Sequence, residues 1–326
     1  MSKNAVLVTG GAGFIGSHLS KSLAEDGHKV IILDDLRTGK EENIKIIKEE
    51  LASEGRKEQA ENIHFVKGSI TDKKIVEQIF TQNRIDYVFN LAALVSVAES
   101  MEKPDLTVEI NTKGVLVLLE QSRKSNIKKF FHASSAAVYG DSPKIPKVET
   151  MRPEPKSPYA ITKLDGEYFL EMYRLEHKMP TVSLRFFNVY GPRQDPKSQY
   201  AAAIPIFIWR ALRNEDIVIF GDGLQTRDFI YVGDIVRAIK LVTIEKPDAH
   251  WVYNAARGGR ITILELAKKI IQLTGSKSRI VHDKPRPGDV RHSQASIKRI
   301  KKLGFKPQVS LEEGLRKTIE FFKDQI

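Results

Sequence analysis

The sequence predicts an α/β protein: a doubly wound parallel sheet followed by a smaller lobe of mixed α and β structure. Three observations predict it. Short apolar runs alternate with helix-spaced segments through about residue 186. A glycine-rich turn joins the first such run to the first helical segment. From about residue 187 the alternation stops, and Pro192, Pro196 and Pro205 break the chain into short, mixed elements.

The elements follow in order. Ala5–Val8 is a β-rich apolar run, and Phe14–Ala24 has helical spacing. Lys29–Leu33 is the second strand. Residues 40–60 are charged and helix-prone, and are expected to form a solvated surface helix. Ile63–Val66, Tyr87–Asn90 and Lys129–His132 continue the strands, with helical segments near 72–82 and 107–125. Val182–Phe186 is the sixth strand. Alternating strands and helices imply a parallel sheet covered on both faces. Ser157 is suited to cap the helix that Pro158 opens. Pro285, Pro287 and Gly288 mark a late loop, and Leu311–Lys323 forms a final helix. The expected division is a first domain over 1–186, with returning segments from about 229–258, and a second lobe mainly over 187–326.

Composition narrows the function. Of 326 residues, 41% are hydrophobic and 29% charged, a globular balance. The absence of cysteine excludes disulfides, thiolate nucleophiles and cysteine-bound metals, and no metal site is expected. The longest apolar stretch, Ala201–Trp209, is interrupted by Pro205 and is far below the ~20 residues that span a bilayer. The start has too short an apolar run for a signal-peptide core, so a soluble, cytoplasmic protein without membrane contact is expected. The net charge is +11, and residues 276–326 hold 13 Lys and Arg against 6 Asp and Glu. Those bases are mixed with acids and no nucleic-acid motif accompanies them, so no nucleic-acid partner is expected. Positive charge also favours a phosphorylated small substrate.

Two constellations carry chemistry. Val8-Thr-Gly-Gly-Ala-Gly-Phe-Ile-Gly16 follows the first strand and opens the first helix. Gly11, Gly13 and Gly16 fit G-x-G-x-x-G, and Gly10, Gly13 and Gly16 fit G-x-x-G-x-x-G. Such glycines permit a tight turn and let a pyrophosphate approach the positive helix N-terminus. Asp34 ends the second strand, where a carboxylate accepts hydrogen bonds from an adenosine ribose and repels a 2′-phosphate. This context points to a dinucleotide, NAD rather than NADP. The second constellation is Ser157-Pro-Tyr-Ala-Ile-Thr-Lys163, which puts Tyr159 and Lys163 on one helical face. Of nine tyrosines only Tyr159 has lysine four residues on. A tyrosine beside a cation suits acid–base work, because the cation favours the phenolate. Ser135, with Ser134 as competitor, supplies a hydroxyl at the end of the fifth strand.

With these residues in place, the chain resembles the extended short-chain dehydrogenase/reductases. The resemblance rests on Gly10–Gly16, Asp34, Asn90-Leu-Ala-Ala93, Ser134–Gly140, Tyr159–Lys163 and Arg185-Phe-Phe-Asn-Val-Tyr-Gly-Pro192. Within that family, Gly221-Asp-Gly-x-x-Thr-Arg-Asp-Phe229 and Arg286-Pro-Gly-Asp-Val-Arg-His-Ser293 resemble the nucleotide-sugar 4-epimerases. The resemblance implies a Rossmann-like fold, bound NAD and a UDP-sugar substrate for the second lobe. It implies catalysis by Ser135, Tyr159 and Lys163, with lysine lowering the tyrosine pKa and holding the nicotinamide ribose. It places cofactor contacts at Gly10, Gly13, Phe14, Ile15, Gly16, Asp34, Ser69, Ile70, Leu91, Ala92, Ala93, Asn111, Tyr159 and Lys163. It places substrate contacts at Ser96, Ser135, Asn188, Arg227, Arg286, Asp289 and Ser293. It also implies a homodimer through helices around 107–125 and 157–178, where Leu116, Leu118 and Leu119 are equally suited to the interface or to the chain's own core.

The implied reaction is UDP-hexose 4-epimerisation through a transient 4-keto sugar. Related dehydratases and decarboxylases carry an acid just after the active-site hydroxyl, where this chain has Ala136 and Ala137. Small Ser293 and Ser96 resemble the epimerases acting on N-acetylhexosamines, favouring UDP-GlcNAc/UDP-GalNAc with UDP-Glc/UDP-Gal as a second pair. UDP-glucuronate 4-epimerase, or an NAD-dependent dehydratase, decarboxylase or reductase, is the alternative. One departure concerns Ser69, where family members often carry an acid for the adenine amine.

Overall fold

The structure, a computed structural model, describes residues 5–196, 202–246, 250–285 and 291–326. It contains two compact units. The first comprises Met1–Val138, Pro153–Arg185 and Val236–Tyr253; the second comprises Tyr139–Arg152, Phe186–Ile235 and Asn254–Ile326.

The first unit is built on a seven-stranded parallel sheet with helices around it. Its strands are β1 (Ala5–Thr9), β2 (Lys29–Asp34), β3 (Ile63–Lys67), β4 (Ile85–Asn90), β5 (Lys129–Ser135), β6 (Thr181–Phe186) and Val252–Ala255. The order across the sheet is Val252–Ala255, β6, β5, β4, β1, β2, β3. β1 is buried along its whole length, as continuous apolar strands require when both faces are covered. On one face Leu7, Ile31, Leu33, Val88 and Phe130 pack with Val76, Ile79, Leu118, Leu119 and Leu170. Leu118 and Leu119 are therefore core residues, unavailable to a dimer surface. The register aligns Thr9 with Leu33 and Asn90, and Asn90 with His132. The polar ends of β1, β4 and β5 thus share the carboxyl edge, where ligands bind in such sheets.

Three local expectations change. Residues 40–60 form two helices, Glu41–Ser53 and Lys57–Glu61, and Ile44, Ile47 and Leu51 bury one face of the longer one. Helix spacing hidden among the charges explains this, and the Asn43 amide also donates to the Ala12 carbonyl at 2.8 Å. The segment near 107–125 is not one uniform helix: Pro104–Val108 runs into a π turn at Glu109–Lys113 and then into Gly114–Lys124. Tyr139–Arg152, expected in the first domain, belongs to the second unit. Within that unit Tyr139 donates to Asn254 Oδ1 at 2.6 Å, and Lys147 exchanges backbone bonds of 2.8 Å with Gln294 and Ser296.

The second unit has the expected mixed character. Asn188–Tyr190 pairs parallel with Phe229–Tyr231, and Ile217–Phe220 pairs parallel with Ile280–Asp283. Thr226–Arg227 pairs antiparallel with Ile261–Thr262. Helices Ala203–Leu212, Ile263–Thr274 and Leu311–Lys323 contribute Ile204, Ile208, Leu266, Ile270, Leu315 and Phe322 to one core.

One helix of the first unit, Pro158–Glu176, is held to the sheet by a buried ion pair. Arg185 Nε and Nη2 donate to Glu167 Oε1 and Oε2 at 2.8 and 2.6 Å, and Ser134 Oγ donates to the same carboxylate. Both charged side chains are at most 3% exposed. Removing one partner of such a pair costs about 3–5 kcal/mol, because the other charge stays buried.

Candidate active site

The glycine turn is shaped by close backbone approach. Gly10 has φ +69°, and a Cβ there would lie 2.8 Å from the Ala92 nitrogen. At Gly16 a Cβ would lie 2.1 Å from the Gly10 carbonyl oxygen, so the first helix packs directly on the turn. Gly13 caps helix Phe14–Glu25 without a side chain, and no acid occupies the first turn. The first-turn amides of Phe14, Ile15 and Gly16 lack intrahelical acceptors. The geometry suits a pyrophosphate.

Asp34 stands at the end of β2, buried at 7% exposure. Its Oδ2 accepts from Ala12 N–H at 3.0 Å and its Oδ1 from Leu36 N–H at 2.9 Å. Burial pushes its carboxyl above the ordinary value against these two bonds. Each oxygen keeps a lone pair for a ribose hydroxyl. Arg37, which would suit a 2′-phosphate, lies 3.9 Å from Asp35 instead. The donor set therefore fits NAD. Ser69 is engaged locally: its Oγ lies 2.9 Å from Thr71 Oγ1 and accepts from Thr71 N–H. Ile70 is buried beside it, and Leu91–Ala93 continue from β4, with Leu91 N–H donating to Thr9 O at 3.1 Å.

The candidate reacting groups come from β5 and helix Pro158–Glu176. Ser157 caps that helix through Ala160 N–H, and Tyr159 and Lys163 follow one turn apart. Ser135 Oγ accepts from Ala137 N–H at 3.2 Å and stands near enough to the Tyr159 phenol to oppose the rise of its pKa. Ser134 points to Glu167 instead. The structure thus brings Ser135, and not its neighbour, to the tyrosine. Lys163 is 4% exposed, donates to the Ala133 carbonyl at 2.9 Å, and lies 5.8 Å from the Tyr159 ring centroid.

The electrostatics differ from the expectation that lysine lowers the tyrosine pKa. Burial pushes the Tyr159 phenol above its usual value, and the Ser135 hydrogen bond opposes this. The same burial brings the Lys163 ammonium down to about 8. Taken alone, the protein favours neutral forms of both groups, since removal from water penalises each charge.

Asn111 sits in the π turn, a kind of helix irregularity frequent at functional sites. Its Oδ1 accepts from Leu94 N–H at 2.7 Å, and its Nδ2 donates to Leu94 O at 3.0 Å and Thr162 Oγ1 at 3.1 Å. It clamps the loop after β4 to the tyrosine helix with its whole amide. Ser96 caps helix Val97–Glu102 through Glu99 N–H.

In the second unit Asn188, Arg227 and Ser293 gather around Thr226–Asp228. Asn188 Nδ2 donates to Asp228 O at 3.1 Å, Arg227 Nη1 to Thr226 O at 2.9 Å, and Ser293 N–H to Thr226 O at 3.0 Å. Arg286 and Asp289 lie outside the described residues. Asp228, whose own role the sequence reading missed, organises this cluster. Its fully buried carboxylate accepts backbone N–H bonds from Arg257, Gly258 and Ala295 at 3.1–3.2 Å. Burial still pushes it up to about 6. Its position between Arg227 and the apolar Phe229-Ile230 was the available signal.

Among the described residues, no group of three or more His, Asp and Glu is placed to hold a metal ion, and no helix is long and apolar enough to cross a membrane.

The Lys163 shift has a measurable consequence for the cofactor-free protein. A lysine lowered to about 8 from 10.5 is penalised while both folded and unfolded states are protonated. Between pH 8 and 10.5 the folded state loses its proton first, so stability should rise with pH there, by on the order of 3 kcal/mol. Chemical unfolding of wild type and Lys163→Met across that range isolates the effect. A wild-type minus variant difference that stays flat contradicts a desolvated lysine.

The family model for GDP-mannose 4,6 dehydratase matches residues 7–318. A putative UDP-glucose 4-epimerase of Methanocaldococcus jannaschii is 38% identical over 320 residues, 98% of each chain. The UDP-N-acetylglucosamine 4-epimerase of Methanobrevibacter ruminantium, solved with UDP-N-acetylmuramic acid, is 40% identical over the full length of both chains, with a TM-score of 0.90. The UDP-glucose 4-epimerase of Thermus thermophilus, solved with NAD, is 35% identical over 99% of this chain and all of that one, with a TM-score of 0.88. The chain belongs to the NAD-dependent nucleotide-sugar epimerase/dehydratase family of extended short-chain dehydrogenase/reductases.

Proposed function

We propose that this enzyme is a UDP-hexose 4-epimerase, interconverting UDP-GlcNAc and UDP-GalNAc, with UDP-glucose and UDP-galactose as a second pair. One observation carries the choice of reaction. Ser135 acts on the Tyr159 phenol, and the residues after that serine are Ala136 and Ala137. The site has a proton acceptor for a sugar hydroxyl but no acid at the position where dehydratases place one, so water elimination from the sugar lacks its proton donor.

The roles are those the family resemblance implies, and the geometry supports the ones given to Ser135 and Lys163. Tyr159 removes the proton from the sugar 4-hydroxyl and returns it. Ser135, oriented by Ala137 N–H, hydrogen-bonds the reacting oxygen. Lys163, fixed at the Ala133 carbonyl, holds the nicotinamide ribose and supplies positive charge near the phenol. NAD, when bound, supplies reversible hydride acceptance at C4. Asn188, Arg227 and Arg286 bind the diphosphate, for which the guanidinium fork is suited. Asp289 binds the uridine ribose. Ser96 and Ser293 border the sugar, and small Ser293 leaves room for an N-acetyl group at C2.

The first unit also exposes Val108, Ile161, Tyr168, Met172 and Leu175, each at 38–52%. They lie on Pro104–Val108 and on the tyrosine helix. This apolar face supports a homodimer through those helices, and the reading includes a cytoplasmic location. Met172→Glu should convert a sedimenting dimer to monomer; a wild-type monomer at micromolar concentration removes the dimer.

The decisive assay is proton NMR of the anomeric region after incubation with UDP-GlcNAc or UDP-glucose and no added NAD. The expected product is the C4 epimer, without net nicotinamide reduction. Accumulation of a 4-keto-6-deoxy sugar would establish a dehydratase instead. Tyr159→Phe should lose about 100-fold or more in kcat while retaining NAD; a near wild-type rate removes Tyr159 from the acid–base role. Ser293→Tyr should lose the N-acetylated substrate first, and equal loss on both sugars refutes the pocket assignment.

A further inference from the structure

A buried polar chain links the glycine turn to the helix that carries Lys163. Thr9 and Asn90, the last residues of β1 and β4, stand side by side with His132 in the middle of β5, all within 1% of complete burial. Thr9 Oγ1 accepts from Ala92 N–H at 3.3 Å and donates to Asn90 Oδ1 at 2.7 Å. The Asn90 oxygen is thereby spent, so its amide nitrogen is the atom facing His132 Nδ1, at 3.2 Å. An amide nitrogen only donates, so Nδ1 accepts. The imidazole is neutral, and its proton is on Nε2.

Nε2 is enclosed on the other side. A Cβ at Gly166 would lie 2.4 Å from it, so the ring occupies the space that this glycine leaves on the tyrosine helix. Gly166 is three residues beyond Lys163, on the adjacent turn. Nε2 is buried, is directed at the Lys163 backbone, and reaches no acceptor at hydrogen-bonding distance among the described residues. Burial and the Lys163 charge both hold the imidazole well below its ordinary pKa. Volume alone does not account for the histidine. An apolar ring of that size would leave the Asn90 amide buried without an acceptor, a loss of about 1–3 kcal/mol.

We propose that His132 is a positioning residue for Lys163: its neutral imidazole, fixed by Asn90 and Thr9, seats the Lys163–Gly166 turn against β5 so that the lysine ammonium keeps its place at the Ala133 carbonyl. The proposal rests on the role given to Lys163 above, as the residue that holds the cofactor ribose. It does not depend on which sugar is turned over.

The test is a double-mutant cycle on cofactor affinity, read by NADH fluorescence titration. It compares wild type, His132→Phe, Lys163→Met and the double variant. His132→Phe should weaken NADH about fivefold, and should add less than about twofold in the Lys163→Met background, because it acts through that lysine. His132→Gln, which can still accept from Asn90, should recover most of the loss. Wild-type affinity in His132→Phe, or a loss that persists in full without Lys163, overturns the proposal. Where the variants do not fold, long-range proton–nitrogen NMR of the wild-type imidazoles decides. A neutral Nε2–H ring from pH 6 to 8 supports the proposal, and an Nδ1–H tautomer or imidazolium overturns it. A wild type that binds NADH but epimerises no sugar would refute the assigned reaction while leaving the cycle readable.

Discussion

The buried pair of Glu167 and Arg185 ties the tyrosine helix to β6, and Ser134 on the same carboxylate ties that helix to β5. Apolar packing alone sets a helix against a sheet to within a rotamer or so, and it tolerates sliding. A bidentate guanidinium–carboxylate pair does not, because its two parallel bonds fix direction as well as distance. The pair is a poor device for stability, since both ions lose hydration. It is a good device for register. Ser135 is one residue beyond Ser134, and Lys163 is one turn before Glu167, so the carboxylate that fixes the scaffold stands beside the groups that react. Asn111 adds a third attachment through Thr162, and Asp165 a fourth through Thr112 at 3.2 Å.

That rigidity allows the reacting pair to be desolvated. Burial raises the Tyr159 phenol and brings Lys163 down to about 8, so the two groups are driven apart in proton affinity, each toward its neutral form. Unperturbed lysine and tyrosine are already close, near pKa 10. Partial removal from water makes the choice between tyrosine–ammonium and phenolate–ammonium sensitive to any further charge or hydrogen bond. Ser135 already pushes toward phenolate. A proton acceptor of this kind is switched by what binds beside it, which suits a reaction in which the same proton must leave and return.

What the sequence shows of this site depends on how local the encoding is. The glycine turn, Asp34 at a strand end, the Ser157 cap and the four-residue spacing of Tyr159 and Lys163 are all short-range. Backbone geometry fixes each within a few residues, and the structure has each element where the reading puts it. The preference for Ser135 over Ser134 has its physical reason in Glu167 and Arg185, far along the chain, which engage Ser134. The same holds for His132, which looks like an ordinary strand residue until Asn90 and Gly166 come beside it. The helix Glu41–Ser53 was misjudged for a related reason: its three buried aliphatic residues are outnumbered by charges, and average polarity concealed their spacing. The assignment of Tyr139–Arg152 to the second unit required the contacts of Asn254 and Lys147, which no local pattern announces.

The proposed reaction imposes one further demand, and the distribution of residue types meets it. A 4-keto sugar must present both faces to the same hydride position, so tight, face-specific contacts to the sugar would oppose turnover. Binding energy has to be concentrated at the nucleotide end. The residues assigned there are charged or amide-bearing, and the described ones are braced: Asn188 is hydrogen-bonded to the Asp228 backbone, and the Asp228 carboxylate gathers the amides of Arg257, Gly258 and Ala295. The residues assigned to the sugar, Ser96 and Ser293, are small, and so are Ala136 and Ala137 after the reacting serine. An enzyme that eliminated water or carbon dioxide would need an extra acid or a carboxylate partner in that set, and would gain from holding one face. Strong grip on a diphosphate combined with small side chains around the hexose is the distribution that rotation requires.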